Sequence, residues 1–169
     1  EGNSEDTLVV EVYTCSDINV FPYTQNFENG IRCWSMVSAD PANDDRFGVY
    51  EDENAFDGNY DFRFSSFSRA EDYNQYLISP ELTFPDGEYM IKFDYSAYSG
   101  TESFRVLAST TTNDLAAFTN VLGTFENTNS EWTEVAFHLP EGTKYIAINY
   151  YANYMYYLYV DNITINELN

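Results

Sequence analysis

Tyr145-Ile146-Ala147-Ile148-Asn149-Tyr150-Tyr151 and, one short connection later, Tyr157-Leu158-Tyr159-Val160-Asp161-Asn162-Ile163-Thr164-Ile165 decide the fold class of this chain. In the first run Ile146, Ile148 and Tyr150 fall on one side of an extended strand, and Ala147, Asn149 and Tyr151 on the other. In the second, Leu158 and Val160 oppose Tyr157, Tyr159 and Asp161. Alternation with period two in β-branched and aromatic residues is the mark of a half-buried strand. The intervening tyrosines make the pair read as a hairpin, with Tyr154 and Tyr156 at its tip.

Working outward, the same rhythm recurs every 8–14 residues between clusters of Gly, Pro, Asn and Asp. Strands are expected at 7–13, 34–37, 46–50, 62–67, 76–79, 89–97, 103–109, 133–139, 144–151 and 157–165. The helical candidate is a turn or two at 114–118, capped by Thr112 or Asn113. Such a pattern predicts an all-β chain, a sandwich or a barrel of antiparallel strands. Residues 1–14 read as a lead-in or first strand and 15–169 as a single domain.

Composition agrees. Sixteen Tyr, 13 Phe and 2 Trp make the chain 18% aromatic, which suits pleated surfaces better than helices. Against 28 Asp and Glu stand 7 Lys and Arg, a net charge of −21, so nucleic acid and anionic membranes are repelled. No apolar run approaches the roughly 20 residues of a spanning helix, so membrane insertion is not expected. The polar start at 1–6 reads as a mature or trimmed chain. Cys15 and Cys33 are the two cysteines. A disulfide between them closes a loop of about 18 residues and is worth roughly 3 kcal/mol; the alternative is two unpaired buried thiols.

A further set of motifs identifies a family resemblance. Phe21-Pro22-Tyr23-Thr24-Gln25-Asn26-Phe27-Glu28-Asn29-Gly30 followed by Cys33-Trp34 resembles the opening of cleaved-adhesin modules. The likeness continues through Tyr76-Leu77-Ile78-Ser79-Pro80-Glu81-Leu82, Phe93-Asp94-Tyr95, Phe104-Arg105-Val106-Leu107-Ala108-Ser109-Thr110-Thr111 and Phe118-Thr119-Asn120-Val121-Leu122. Trp132 and Leu158-Tyr159-Val160-Asp161-Asn162-Ile163 complete it, over about residues 21–166. Those modules are jelly-roll β-sandwiches of gingipain-type haemagglutinin regions and other exported bacterial proteins, and MAM modules are related to them. The resemblance implies a jelly roll and a calcium-supported binding module. Two departures stand out. The segment Ala39-Asp40-Pro41-Ala42-Asn43-Asp44-Asp45 lacks the glycines of the family's acidic loop, and Asn149 replaces a basic residue frequent in the penultimate strand.

Candidate calcium ligands come from the same comparison. MAM modules carry an Asp followed six residues later by Gly and then, two beyond it, by Tyr; Asp52, Gly58 and Tyr60 keep that spacing. Glu28 matches the acid after Phe27, and Asp161 the acid of the terminal strand. The resemblance therefore implies a structural Ca2+ held by Glu28, Asp52 and Asp161, hard oxygen donors drawn from distant segments.

Catalysis is not expected. His138 is the sole histidine, set on an alternating strand with no nucleophile elbow beside it. No pair among the 28 acids stands in a glycosidase motif. The sequon Asn162-Ile163-Thr164 falls inside a predicted strand and reads as structural. Tyr154 and Tyr156 are the candidate ligand contacts, since a loop tip is where core packing least buries a ring; the competing reading is a cross-strand aromatic ladder. The expected function is an exported, secreted or cell-surface binding module, most simply a monomer, that recognises a host or cell-surface protein or glycan. The alternatives are a carbohydrate-binding accessory domain of a secreted hydrolase or protease, and a structural spacer.

Overall fold

In a computed structural model, residues 14–39, 47–67, 74–99, 101–152 and 154–168 are described. The strand expected at 7–13, almost all of the lead-in, and residues 40–45 of the departing acidic loop lie outside them. Eleven strands follow in chain order: β1 (Tyr23–Gln25), β2 (Ser35–Ser38), β3 (Gly48–Glu51), β4 (Tyr60–Ser65), β5 (Gln75–Ile78), β6 (Tyr89–Ala97), β7 (Phe104–Ser109), β8 (Asn120–Phe125), β9 (Thr133–His138), β10 (Tyr145–Tyr150) and β11 (Tyr157–Glu167). They form two antiparallel sheets, one ordered β3-β4-β11-β6-β9 with β1 also on β11, the other β2-β5-β10-β7-β8. This is an all-β sandwich, as the alternation allowed, and the jelly roll that the family resemblance implied.

The core is made by the inward rows. Phe62 and Phe64 of β4, Ile91, Phe93 and Tyr95 of β6, and Leu158 and Val160 of β11 face Leu77, Phe104, Val106, Ile146, Ile148 and Tyr150 of the other sheet, all buried. Rings meet across the layers: Phe64 stacks on Tyr150 at 5.6 Å and Tyr95 packs edge-on to Phe104 at 5.0 Å. A second small apolar cluster, Ile78, Leu107 and Ala147, lies on the outer face of the five-stranded sheet beneath Leu115 and Phe118. Leu115 opens and Phe118 caps a 3-10 turn, Leu115–Ala117, with Asp114 rather than Thr112 or Asn113 at its N-cap.

One expectation is corrected. The segment joining β10 to β11 is no hairpin: β10 pairs with β5 and β7, whereas β11 pairs with β4 and β6. It is an arch from one sheet to the other, so no aromatic ladder runs between those two strands. The physical reason is that Ile146, Ile148 and Tyr150 bury against Leu158 and Val160 from opposite layers. Alternation reveals which side of a strand is apolar but not which strand lies alongside it. Two strands escaped the sequence reading: β1 is only three residues long, and β8 is interrupted by Gly123 opposite an irregularity between Val106 and Leu107.

Cys15 and Cys33 are bonded, with Cα atoms 5.4 Å apart, and tie the lead-in to the turn before Trp34. Replacing Cys15 with Ser is expected to lower stability by about 3 kcal/mol through restored loop entropy. Urea denaturation of the variant and mass measurement after alkylation without reductant check this. Two alkylated thiols in native protein would refute the pairing.

Candidate functional site

β11 is flanked along one edge by two shorter strands. β4 covers Tyr157 to Val160 and β1 covers Ile163 to Ile165, so Asp161 and Asn162 sit in the gap between them. At this gap β11 bulges: Asp161 is opposite Asp94, yet Thr164 is already opposite Lys92, and Asn162 adopts φ 51°. Two loops converge over the gap. After β1, Phe27 turns with φ 59° and is wholly buried, fixing the direction in which Glu28 leaves the core. That left-handed backbone is strained for a bulky residue, and its burial holds it. Before β4, the 52–60 loop folds over β11, and the Asp57 amide donates to Asp161 Oδ2 at 2.8 Å.

Glu28 Oε1 accepts from the amides of Asn59 and Tyr60 at 2.8 and 2.7 Å. Gly58, at φ 75°, lies so close that a Cβ there would overlap the Glu28 carboxyl group. The 52–60 loop and Glu28 are thus shaped to each other. Asn26 Nδ2 donates to Asp57 Oδ2 at 3.1 Å, joining the two loops a second time.

The structure therefore brings Glu28 and Asp161 together beside Asp57. Asp52 stands on the other flank, next to Asp61, its Oδ1 accepting from the Asn54 amide at 2.8 Å. Asp61, one of two acids here that sequence reading missed, is 1% exposed, and among the described residues neither of its carboxyl oxygens has a hydrogen-bond partner. Burial, then the charges of Asp52 and Asp161, push its pKa up to about 7, partly offset by Arg63. Asp161 is pushed up to about 6 by burial, with Asp57 and Glu28 adding repulsion and two backbone hydrogen bonds opposing it. Among the described residues no three acidic, His or Cys side chains close on one point as a finished ligand set. Glu28, Asp52, Asp57 and Asp161 already accept hydrogen bonds, and the buried carboxyl oxygens left without a partner among the described residues are those of Asp61, hard donors of the kind calcium takes. An orphaned buried carboxylate and a loop moulded onto Glu28 fit such an ion.

The tyrosine arch lies at one end of the same outer sheet face. Tyr154 is 64% exposed and Tyr156 41%. Beneath them is a support that sequence reading did not find. Glu102, fully buried, accepts from the Tyr150 hydroxyl at 2.5 Å and from the Tyr156 amide at 2.7 Å. Ser66 Oγ lies 2.8 Å from the Tyr150 hydroxyl and accepts from the Met155 amide at 3.0 Å. Burial raises the Glu102 pKa, and its hydrogen bonds to Tyr150 and Tyr156 pull it back. Around the arch, Tyr156 packs on Phe67 and Tyr98, each at 5.5 Å, and Tyr157 lies 5.8 Å from Tyr98 and 6.3 Å from Tyr159. The Arg63 guanidinium sits between the rings of Tyr50 and Tyr157, at 3.6 and 4.6 Å. The result is a belt of rings along the sheet face.

Other candidates are structural. His138 is exposed on β9, the edge strand, as its alternation implied. It lines a cleft of about 550 Å³ at the opposite end of the sheet from the arch, formed mainly by turns around Pro85-Asp86-Gly87 and Pro140-Glu141-Gly142. Asn162 of the sequon donates to Asp94 Oδ2 at 3.3 Å. Asn149 is buried, and the cation missing at its position stands directly opposite on β7, where Arg105 Nε donates to Asn149 Oδ1 at 2.9 Å.

Comparison with known proteins places these features. Residues 21–165 match the family described as Cleaved Adhesin Domain. The K1 cleaved adhesin domain of Lys-gingipain from Porphyromonas gingivalis W83 superimposes with a TM-score of 0.77 at 25% identity, covering 89% of this chain and 100% of that one. The K3 domain of the same protein gives 0.74 at 23%, covering 86% and 98%. At the level of fold alone, a carbohydrate-binding module, TmCBM61, solved with β-1,4-galactotriose, gives 0.59 at 18%, covering 85% and 94%. No curated protein matches significantly.

Proposed function

This chain belongs to the Cleaved Adhesin Domain family, and from that premise we propose that it is an exported, calcium-supported adhesin module that grips a cell-surface macromolecule through its tyrosine arch. Adhesin and carbohydrate-binding modules are non-catalytic domains, and the chain is read as a binder in the same sense. The observation that carries the reading is an exposed pair of rings on a backbone fixed from beneath. Tyr154 and Tyr156 face solvent while Glu102 and Ser66 hold the amides of Tyr156 and Met155. A rigid aromatic contact loses little entropy on binding.

Calcium's part would be to hold the scaffold. The acidic cluster of Glu28, Asp52, Asp57, Asp61 and Asp161 joins the turn after β1, the 52–60 loop and β11; a bound ion there would neutralise their repulsion. The likeness to carbohydrate-binding modules supports the accessory-domain reading as the second choice.

Replacing Tyr154 and Tyr156 together with Ala is expected to abolish binding to erythrocytes or epithelial monolayers while shifting the melting temperature by no more than about 4 °C, since each surface substitution stays near about 0.5 kcal/mol. Undiminished cell binding by the double variant would exclude the arch as the contact. Absence of cell binding by the native domain would favour the spacer reading.

A further inference from the structure

Between the 52–56 segment and Tyr98, the outer face of the six-stranded sheet opens into a cleft of about 230 Å³. Tyr159 and Ser96, paired neighbours on β11 and β6, form its floor. Trp132, Asn54, Tyr98 and Ser130 line it as well. The rings are already held. Trp132 Nε1 donates to the Asn54 carbonyl at 2.9 Å and its indole packs edge-on to Phe56 at 5.8 Å. Tyr98 is 61% exposed, yet its ring is braced by Tyr156 and Tyr157. Between the rings lie hydroxyl, carbonyl and carboxylate oxygens: Asp52 lines the cleft, and Ser96 Oγ donates to the Ser130 carbonyl at 2.9 Å.

A sugar ring asks for this combination. Its C–H face packs on an aromatic plane, and its edge hydroxyls donate to oxygens around the rim. A peptide side chain of apolar character would desolvate the Asp52 carboxylate and bring no donor beyond the Asn54 groups that already reach its Oδ1. Charge narrows the class further. Asp52 in the cleft and a net charge of −21 oppose sulfated or sialylated glycans. The cleft is smaller than the roughly 300–1,000 Å³ of ordinary ligand pockets, so it takes one ring, and the belt beyond it supplies further stacking surface.

We infer that the cleft formed by Trp132, Tyr98, Tyr159, Asp52 and Ser96 binds one uncharged sugar residue of a cell-surface glycan, whose chain continues along Tyr157 and Tyr156 to Phe67. The inference rests on the adhesin reading and narrows its ligand to a neutral glycan.

The test uses the whole domain on an array of neutral, sulfated and sialylated oligosaccharides, followed by titration with the best neutral oligosaccharide. Trp34 is buried and Trp132 partly exposed, so the change in indole emission reports the cleft directly. Expected are retention of neutral glycans only, a shift of Trp132 emission, and an affinity loss of about tenfold in Tyr98→Ala, equivalent to one aromatic stack. Tyr98→Ala removes an exposed ring and leaves the fold intact; Trp132→Phe, which keeps a ring but loses the indole donor, serves as a second variant and should weaken binding less. No neutral glycan retained, a preference for sulfated glycans, or unchanged affinity in Tyr98→Ala would each overturn the inference. Adhesion to cells tells this failure from that of the parent reading. Adhesion that survives both Tyr98→Ala and enzymatic removal of the cells' glycans removes the cleft but keeps the adhesin; a wild-type domain that adheres to nothing removes the adhesin reading, and neutral-glycan retention on the array then still decides the cleft.

Discussion

Millimolar calcium added to the chelated domain near neutral pH is expected to raise its melting temperature by roughly 5–11 °C. An ion present at about 100 times its dissociation constant stabilises by about 2.7 kcal/mol, and a domain of this size gains about 2–4 °C per kcal/mol. The argument is the repulsion already visible among the carboxylates. Asp61 and Asp161 have pKa values pushed up to about 7 and about 6, first by burial and then by neighbouring acids. Their folded values lie above their unfolded ones, so each contributes stability that is fully present below the unfolded pKa and is lost as pH rises through the folded pKa. In chelator, therefore, the domain should become less stable as pH climbs from about 4 to about 7. A cation reverses this by favouring the ionised forms, so the calcium gain should be largest above pH 7 and nearly absent at about pH 5. Asp161→Asn should remove most of the gain; in the chelated protein, relief of repulsion opposes the loss of one of the two acceptors that hold the Asp57 and Asn162 amides. Melting curves with and without calcium across this range, recorded after the chelator is shown to strip the metal, decide the matter. Coincident curves at every pH would falsify calcium support.

The second large effect concerns Glu102. Glu102→Ala is expected to destabilise the domain by about 3 kcal/mol, because it leaves the Tyr156 amide unpaired in the interior at about 1–3 kcal/mol, reduces the Tyr150 hydroxyl to its one contact with Ser66 Oγ, and opens a cavity besides. Both groups lose a buried acceptor, and Tyr150 itself is wholly buried between the layers. Glu102→Gln keeps the volume and one acceptor oxygen, so about 1–2 kcal/mol is expected. Urea denaturation measures both. The consequence for function is specific: the Gln variant, still folded, should bind cells more weakly than its stability predicts, because the arch that presents Tyr154 and Tyr156 loses its anchor. A Glu102→Ala protein with an unchanged denaturation midpoint would show that the arch stands without it.

The arch also shows where reading the chain and seeing the molecule part company. The two-faced character of 145–150 and 157–165 was legible residue by residue, and with it an all-β sandwich. Ile146, Ile148, Tyr150, Leu158 and Val160 are buried as their alternation required. Glu28 and Asp161 were named through the family resemblance, and the structure brings them together beside Asp57. Asp61 was not, because a lone acid in Tyr60-Asp61-Phe62 carries no local signal of burial. Glu102 was invisible for the same reason: its partners Tyr150 and Tyr156 lie 48 and 54 residues away.

What the sequence by itself determined is everything that depends on period and composition: strands, the apolar side of each, an acidic surface, the cysteine pair as a candidate crosslink. These are properties of neighbours in the chain, where side chains alternate about the backbone whatever lies opposite. The tertiary structure alone decided which strands pair, that 151–156 is an arch between sheets, that two loops close over the bulge at Asp161, and that Trp132 meets Tyr98 and Asp52 across a cleft. Those outcomes follow from contacts between segments far apart in sequence, selected by how two apolar faces close on one core, and no local pattern encodes that choice.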